Sequence, residues 1–153
     1  MAEGQTEGAA ALIPGLSSQD DHLAFPSCPP TILLVEDEEA LLEIMSLFLM
    51  TLELNVITAS SGQEAITKFL QHRDSINLLL TDIVMPEMDG FELAQTLSKI
   101  EPELKIIFMS GYSAGVFPGN MIEHFVQKPF TRDALAKKIA EVMTAEPRAR
   151  ATH

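Results

Sequence analysis

Cysteine is nearly missing from this chain: Cys28 is the only one in 153 residues. No internal disulfide and no thiolate cage for a metal can form, so a reducing compartment is the simplest reading. Basic residues are also scarce, ten Lys and Arg against 22 Asp and Glu, for a net charge of -12. None of the ten lies in the first 67 residues, which hold eleven of the acids. Binding nucleic acid or an anionic membrane surface needs positive charge, so neither is expected as a direct partner. Long hydrophobic runs are absent too. None approaches the roughly 20 residues of a spanning helix, so no membrane insertion is expected. The short apolar patch Ala9 to Ile13 has no Lys or Arg before it and does not read as a signal peptide. What is present is 46% apolar residues with 21% charged, enough for the packed core of one domain with flanking tails.

Residues 1–30 are rich in Gly, Ala, Ser and Pro and read as a flexible leader or linker closed by Pro26, Pro29 and Pro30. Residues 144–153 read as a similar tail, which leaves 31–143 as the ordered domain. Inside it, short apolar runs alternate with segments of helical period. The run Thr31–Val35 is continuously apolar, as in a central parallel strand buried on both faces. A helix over 38–52 follows, with Leu41, Ile44, Met45, Phe48 and Leu52 on one stripe. A strand at 54–59 leads to a helix capped by Ser60 or Ser61, running to Gln71 with Ala65, Ile66, Phe69 and Leu70 inward. Further strands are expected at 77–81, 105–109 and 124–127. Helices are expected at 91–100 and, capped by Thr131, through Met143. Between the fourth and fifth strands, Gly115, Pro118 and Gly119 break helices, so an irregular turn or loop is expected there. The alternation specifies a doubly wound α/β fold with a parallel sheet.

In open parallel sheets, ligands sit at the carboxyl ends of the strands. Here those ends are chemically coherent. The first strand ends in Glu36-Asp37, the third in Asp82, the fourth in Ser110 and the fifth in Lys128-Pro129. Crowded carboxylates repel unless a cation joins them, and an all-oxygen donor set favours Mg²⁺. Mg²⁺, a lysine ammonium and a hydroxyl suit an incoming phosphoryl group, and one central carboxylate can act as its acceptor. Asp82 is the best placed for that role. Glu38 and Glu39 need no chemistry, because acids at a helix N-terminus complement its dipole. Leu47 and Met50 fall away from the core stripe and form a candidate docking face for a partner helix pair.

These motifs, in this order, resemble the receiver domains of two-component response regulators. The resemblance covers roughly residues 31–143 through ILLVEDEEALL, LLLTDIVMPEMDGFEL, IIFMSGYSA and FVQKPF. It implies a flavodoxin-like, five-stranded parallel sheet of order 2-1-3-4-5 with helices on both faces. It implies Asp82 as phosphoacceptor, with Glu36, Asp37, Asp82 and the Val84 backbone carbonyl holding Mg²⁺. Ser110 becomes the switch hydroxyl, Lys128 the phosphate-pairing lysine and Phe125 the aromatic switch residue. The Lys128–Pro129 bond is implied to be cis. The phosphodonor is implied to be a histidine kinase or a histidine phosphotransfer domain, docking beside the first helix.

The segment after Ser110 looks most like receivers at the C-termini of hybrid sensor kinases. The chain therefore reads as a stand-alone receiver or as part of a hybrid kinase, in the cytoplasm. Its broken helix between the last two strands implies an isolated domain that stays monomeric. It reads as a phosphorylated switch that catalyses its own phosphotransfer and slow self-dephosphorylation, not as an enzyme turning over an external substrate. Other classes fit less well. An aspartate-nucleophile phosphohydrolase usually carries a second Asp two residues after the first, where this chain has Val84. A mononucleotide binder needs a glycine- or hydroxyl-rich loop after the first strand, where this chain has Glu-Asp-Glu-Glu. A phosphate-independent scaffold would not need the full set of rim residues.

Overall fold

A computed structural model describes residues 29–117 and 123–144. The expected leader and tail thus lie outside the described residues, apart from Pro29, Pro30 and Thr144. Among the described residues, strands β1 (Thr31–Val35), β2 (Asn55–Ala59), β3 (Ile76–Asp82), β4 (Lys105–Ser110) and β5 (Phe125–Gln127) alternate with helices. The α-helices are α1 (Glu39–Thr51), α2 (Gly62–Gln71), α3 (Gly90–Ile100) and α4 (Arg132–Thr144). The strands form one sheet in the order β2-β1-β3-β4-β5, and every neighbouring pair is parallel. This is the doubly wound, flavodoxin-like order expected from the sequence.

Burial explains the composition of the strands. Successive side chains of a strand point to opposite faces. In β1, Ile32 and Leu34 pack with α1 and α4 against Met45, Leu49, Leu135 and Ile139. Leu33 and Val35 pack with α2 and α3 against Ala65, Phe69, Leu93 and Leu97. Because helices cover both faces, both sets are apolar, and all four β1 residues are fully buried. β2 lies at the edge and is correspondingly more open, with Asn55 exposed.

Helix starts follow local chemistry. The Ser61 side chain accepts from the Glu64 N–H at 3.1 Å, Asp89 accepts from the Glu92 N–H at 2.9 Å, and Thr131 accepts from the Ala134 N–H at 3.0 Å. Each satisfies a donor that the first helical turn leaves open. Two inward assignments need correction. Ile44 is 48% exposed and Leu70 is 55% exposed. Leu49, not expected inward, is fully buried beside Met45. α1 is apolar around most of its circumference, so several stripes fit the helical period equally well. Packing of Met45 and Leu49, one turn apart, sets the rotation and turns Ile44 outward. In α2 the large ring of Phe69 takes the core position, and Leu70, about 100° further round, faces out.

Between β4 and β5 the described residues form one short 3₁₀ turn, Ala114–Val116. Pro118 and Gly119 of this connection lie outside the described residues.

Candidate functional site

Parallel strands place all their carboxyl ends on one rim. The register sets Asp82 beside Met109 and Ser110 beside Gln127, so the ends of β3, β4 and β5 are adjacent. Glu36 and Asp37 leave the end of β1, the other neighbour of β3. The structure brings the expected rim residues together. Oxygen atoms of Glu36, Asp37 and Asp82 lie within 4.8 Å of one another. Lys128 Nζ stands 2.6 Å from Glu36 Oε2 and 3.2 Å from Asp82 Oδ1. The Lys128–Pro129 peptide is cis, as expected. The Lys128 N–H donates to the Ser110 carbonyl at 2.8 Å, which ties the β5 end to the β4 end.

The rim is polar but largely shielded from water. Glu36 and Ser110 are each 1% exposed and Asp82 is 6% exposed, while Asp37 is open to solvent. Burial pushes the Glu36 carboxyl above its ordinary range, and the Asp82 charge adds to this against the Lys128 hydrogen bond. Burial also raises Asp82, with the Asp37 charge adding and Lys128 opposing. For Lys128, burial pulls the ammonium down. The hydrogen bond to Glu36 and the charges of Asp82 and Glu36 outweigh it, and the net direction is up. Three carboxyl groups face a single ammonium, so acidic oxygens outnumber their cation where Glu36 and Asp82 are shielded from water. A hard divalent cation answers that excess, and carboxylate oxygens are the donors Mg²⁺ prefers. The residues present therefore fit a Mg²⁺ site.

Ser110 Oγ accepts from the Tyr112 N–H at 3.0 Å. Phe125 is half-buried at the start of β5 and packs on the cluster shared with α2 and α3. Leu47 and Met50 are 57% and 56% exposed on α1, as a docking face requires. Ile44 joins them one turn earlier, an addition visible only once the rotation of α1 is set. The sequence reading also missed a cavity of about 410 Å³ beside Lys128. It is lined by Leu41, Met45, Phe48, Gly111, Pro129 and Phe130 as well as the lysine stem. No local pattern marks it, because its walls come from α1, from the residue after β4 and from the loop between β5 and α4.

Fold and rim together define a class: a flavodoxin-like α/β domain with an acidic, lysine-bearing site at the carboxyl ends of its strands. The family model described as response regulator receiver domain matches residues 32–140, and the chain belongs to that family. It is a receiver domain of two-component signalling. It is 36% identical over 117 residues to the sensor kinase CckA of Brucella abortus (strain 2308), covering 74% of this chain and 12% of that protein. It is 40% identical over 83 residues to the response regulator receiver protein CpdR of the same organism, covering 54% of this chain and 68% of that one. Among solved structures, the receiver domain of the hybrid histidine kinase CckA superposes with a TM-score of 0.65 at 28% identity, covering 74% of this chain and 99% of that one. The chain thus spans about an eighth of the length of the kinase it matches. No helix of the described residues is long and apolar enough to cross a membrane.

Proposed function

We propose that Asp82 is the phosphoacceptor of this receiver and takes a phosphoryl group from a phosphohistidine. The observation that carries the reading is the placement of the buried Asp82 carboxylate, 3.2 Å from Lys128 and within 4.8 Å of Glu36 and Asp37 oxygens. An Asp82 oxygen attacks phosphorus as the phosphorus–nitrogen bond to the donor imidazole breaks; the bond pair stays on that nitrogen, and the donor ring, protonated on its other nitrogen, leaves as neutral imidazole. Lys128 is the positive partner for the charge that arrives on the phosphoryl oxygens. Ser110, at the end of the next strand, supplies a hydroxyl donor to the same group. Glu36, Asp37, Asp82 and the Val84 carbonyl hold Mg²⁺, which supplies further neutralisation of phosphoryl charge. Phe125 follows the movement of Ser110 and carries it to the surface near α3 and β5.

The donor is a histidine kinase or a histidine phosphotransfer domain. It docks on the exposed apolar residues Leu47 and Met50 of α1. Residues 31–143 are the functional unit, flanked by a leader or linker and a tail. The isolated domain stays monomeric, acts in the cytoplasm, binds no nucleic acid directly and turns over no external substrate. Its self-dephosphorylation is slow. The side chain two after Asp82 is Val84, 52% exposed, and it cannot hydrogen-bond an attacking water. Decay about 10-fold slower than that of Val84→Asn, or about 1.4 kcal/mol of barrier, is expected in single-turnover measurements.

Labelling decides the main reading. Acetyl phosphate with Mg²⁺ labels the wild type, while Asp82→Asn or added EDTA abolishes the label. Stable labelling of the Asn variant at another residue overturns the assignment of Asp82.

A further inference from the structure

The peptide that joins Asp82 to Ile83 is gripped from two sides by residues with no place in the chemistry above. Thr81 is fully buried, and its hydroxyl donates to the Asp82 carbonyl oxygen at 2.9 Å. A polar group shut away from water is costly unless it is bonded, so this contact is firmly held. Against the same peptide lies Gly90, the first residue of α3. A Cβ at position 90 would stand 2.3 Å from the Asp82 carbonyl oxygen and 2.9 Å from Ile83 Cα. Both are backbone atoms, so no side chain can swing aside to make room. The glycine is there for space, since its φ lies outside the left-handed region. Its N–H donates to the Ile83 carbonyl at 2.8 Å, which fastens the start of α3 to the residue after Asp82. The loop from Val84 to Asp89 is closed by this bond.

We infer that Thr81 and Gly90 are positioning residues that clamp the 82–83 peptide and thereby aim the Asp82 carboxylate at Lys128 and the acidic rim. The inference rests on Asp82 being the phosphoacceptor. Neither residue touches a reacting atom. Their effect is leverage: a small rotation of the clamped peptide swings the carboxylate oxygens, and a misplacement of about 1 Å can cost on the order of 100-fold in a reaction that depends on alignment.

Calorimetric titration of the full chain with beryllofluoride and Mg²⁺ reads the aim of Asp82 without turnover. Thr81→Val keeps the shape and removes the hydroxyl. It is expected to weaken beryllofluoride binding by about 5–10-fold, within the range of one lost buried hydrogen bond. Thr81→Ser restores the donor and should stay within about 2-fold of wild type. Gly90→Ala should weaken binding by more than about 10-fold, because backbone must move. Leu97→Ala, two turns further along α3, is the control: it lowers the unfolding midpoint and leaves affinity unchanged. If Gly90→Ala does not fold, the two Thr81 variants decide. Wild-type affinity in Thr81→Val, or equal loss in Thr81→Ser and Thr81→Val, overturns the clamp. If the wild type takes no beryllofluoride, the phosphoacceptor reading falls and the clamp falls with it.

Discussion

On one face of the sheet, α2 and α3 both start from a side-chain cap and bury Ala65, Phe69, Leu93 and Leu97 against β1 and β3. Rings of Phe91, Phe108 and Phe117 pack there, Phe91 lying 5.0 Å from Phe108 and 5.5 Å from Phe117. On the other face, α1 starts at Glu38 with no side-chain cap bond and leaves Ile44, Leu47 and Met50 about half exposed. Only Leu70 is comparably exposed on α2 and α3. The first face places almost all its large apolar groups in the core. The second keeps more apolar surface than folding uses, and its helix α1 also lines, through Leu41, Met45 and Phe48, a cavity that opens on Lys128. A contiguous apolar patch on a protein surface marks a contact site more often than an accident.

Four experiments test this contrast. The largest effect is expected from Phe69→Ala, which empties a fully buried ring position and should cost about 3–5 kcal/mol. Leu47→Ala, on the open face, should stay within about 0.5 kcal/mol of wild type. Urea unfolding of the two variants gives the comparison directly, and similar midpoints would erase it.

Next comes Lys128→Met, which leaves the Glu36 and Asp82 carboxylates shielded and without their cation. The expected cost at neutral pH is about 2–3 kcal/mol. It is below the full cost of a broken buried pair because the lysine is one-fifth exposed and the carboxylates can take up protons. The pH dependence follows from the direction of the shifts. Both carboxyls sit above their ordinary values in the folded protein. Their contribution to stability is therefore present below the ordinary carboxylate range and lost as pH rises through the raised folded values. Removing the lysine raises those values further, so the deficit of Lys128→Met should shrink as pH falls. Urea midpoints at pH 7 and pH 5 check this, and a deficit that grows with acidity would contradict it.

Paired truncation of Leu47 and Met50 to Ala sharpens the contrast in function. Phosphotransfer from a histidine phosphotransfer donor should slow by about 10-fold, equivalent to about 1.4 kcal/mol. Labelling by acetyl phosphate, which needs no docking face, should be unchanged. Equal slowing with both donors would place the defect at Asp82 and not on α1.

The smallest effect is at the start of α2. Glu64 accepts from the Ser60 N–H at 2.8 Å and pairs with Lys68 at 3.1 Å. The Ser60 backbone bond, with Lys68, holds its carboxyl below the ordinary range. Its side chain is 40% exposed, so solvent screens the pair and Glu64→Gln should cost only about 0.5 kcal/mol. This contribution is present above the ordinary carboxylate value and lost as pH falls through the lowered one. Thermal melts of both proteins should therefore differ at pH 7 and converge in strong acid.

The amino-acid order alone determined the alternation of strands and helices, a cap at Ser60 or Ser61 and another at Thr131, and the rim residues Glu36, Asp37, Asp82, Ser110 and Lys128. These are legible because period and turn chemistry are local, and because parallel strands deliver their carboxyl ends to the same side whatever their order. Tertiary structure alone decided the rotation of α1. A helix apolar on most sides carries no local instruction about which stripe turns in, so Leu49 went to the core and Ile44 to the surface once β1 and α4 were in place. It also decided that one lysine would bridge Glu36 and Asp82, a contact between residues 92 apart in the chain. The cavity beside that lysine and the close approach of Gly90 to the Asp82 carbonyl have the same origin. Distances between segments far apart in sequence are set by packing, and no window of neighbouring residues contains them.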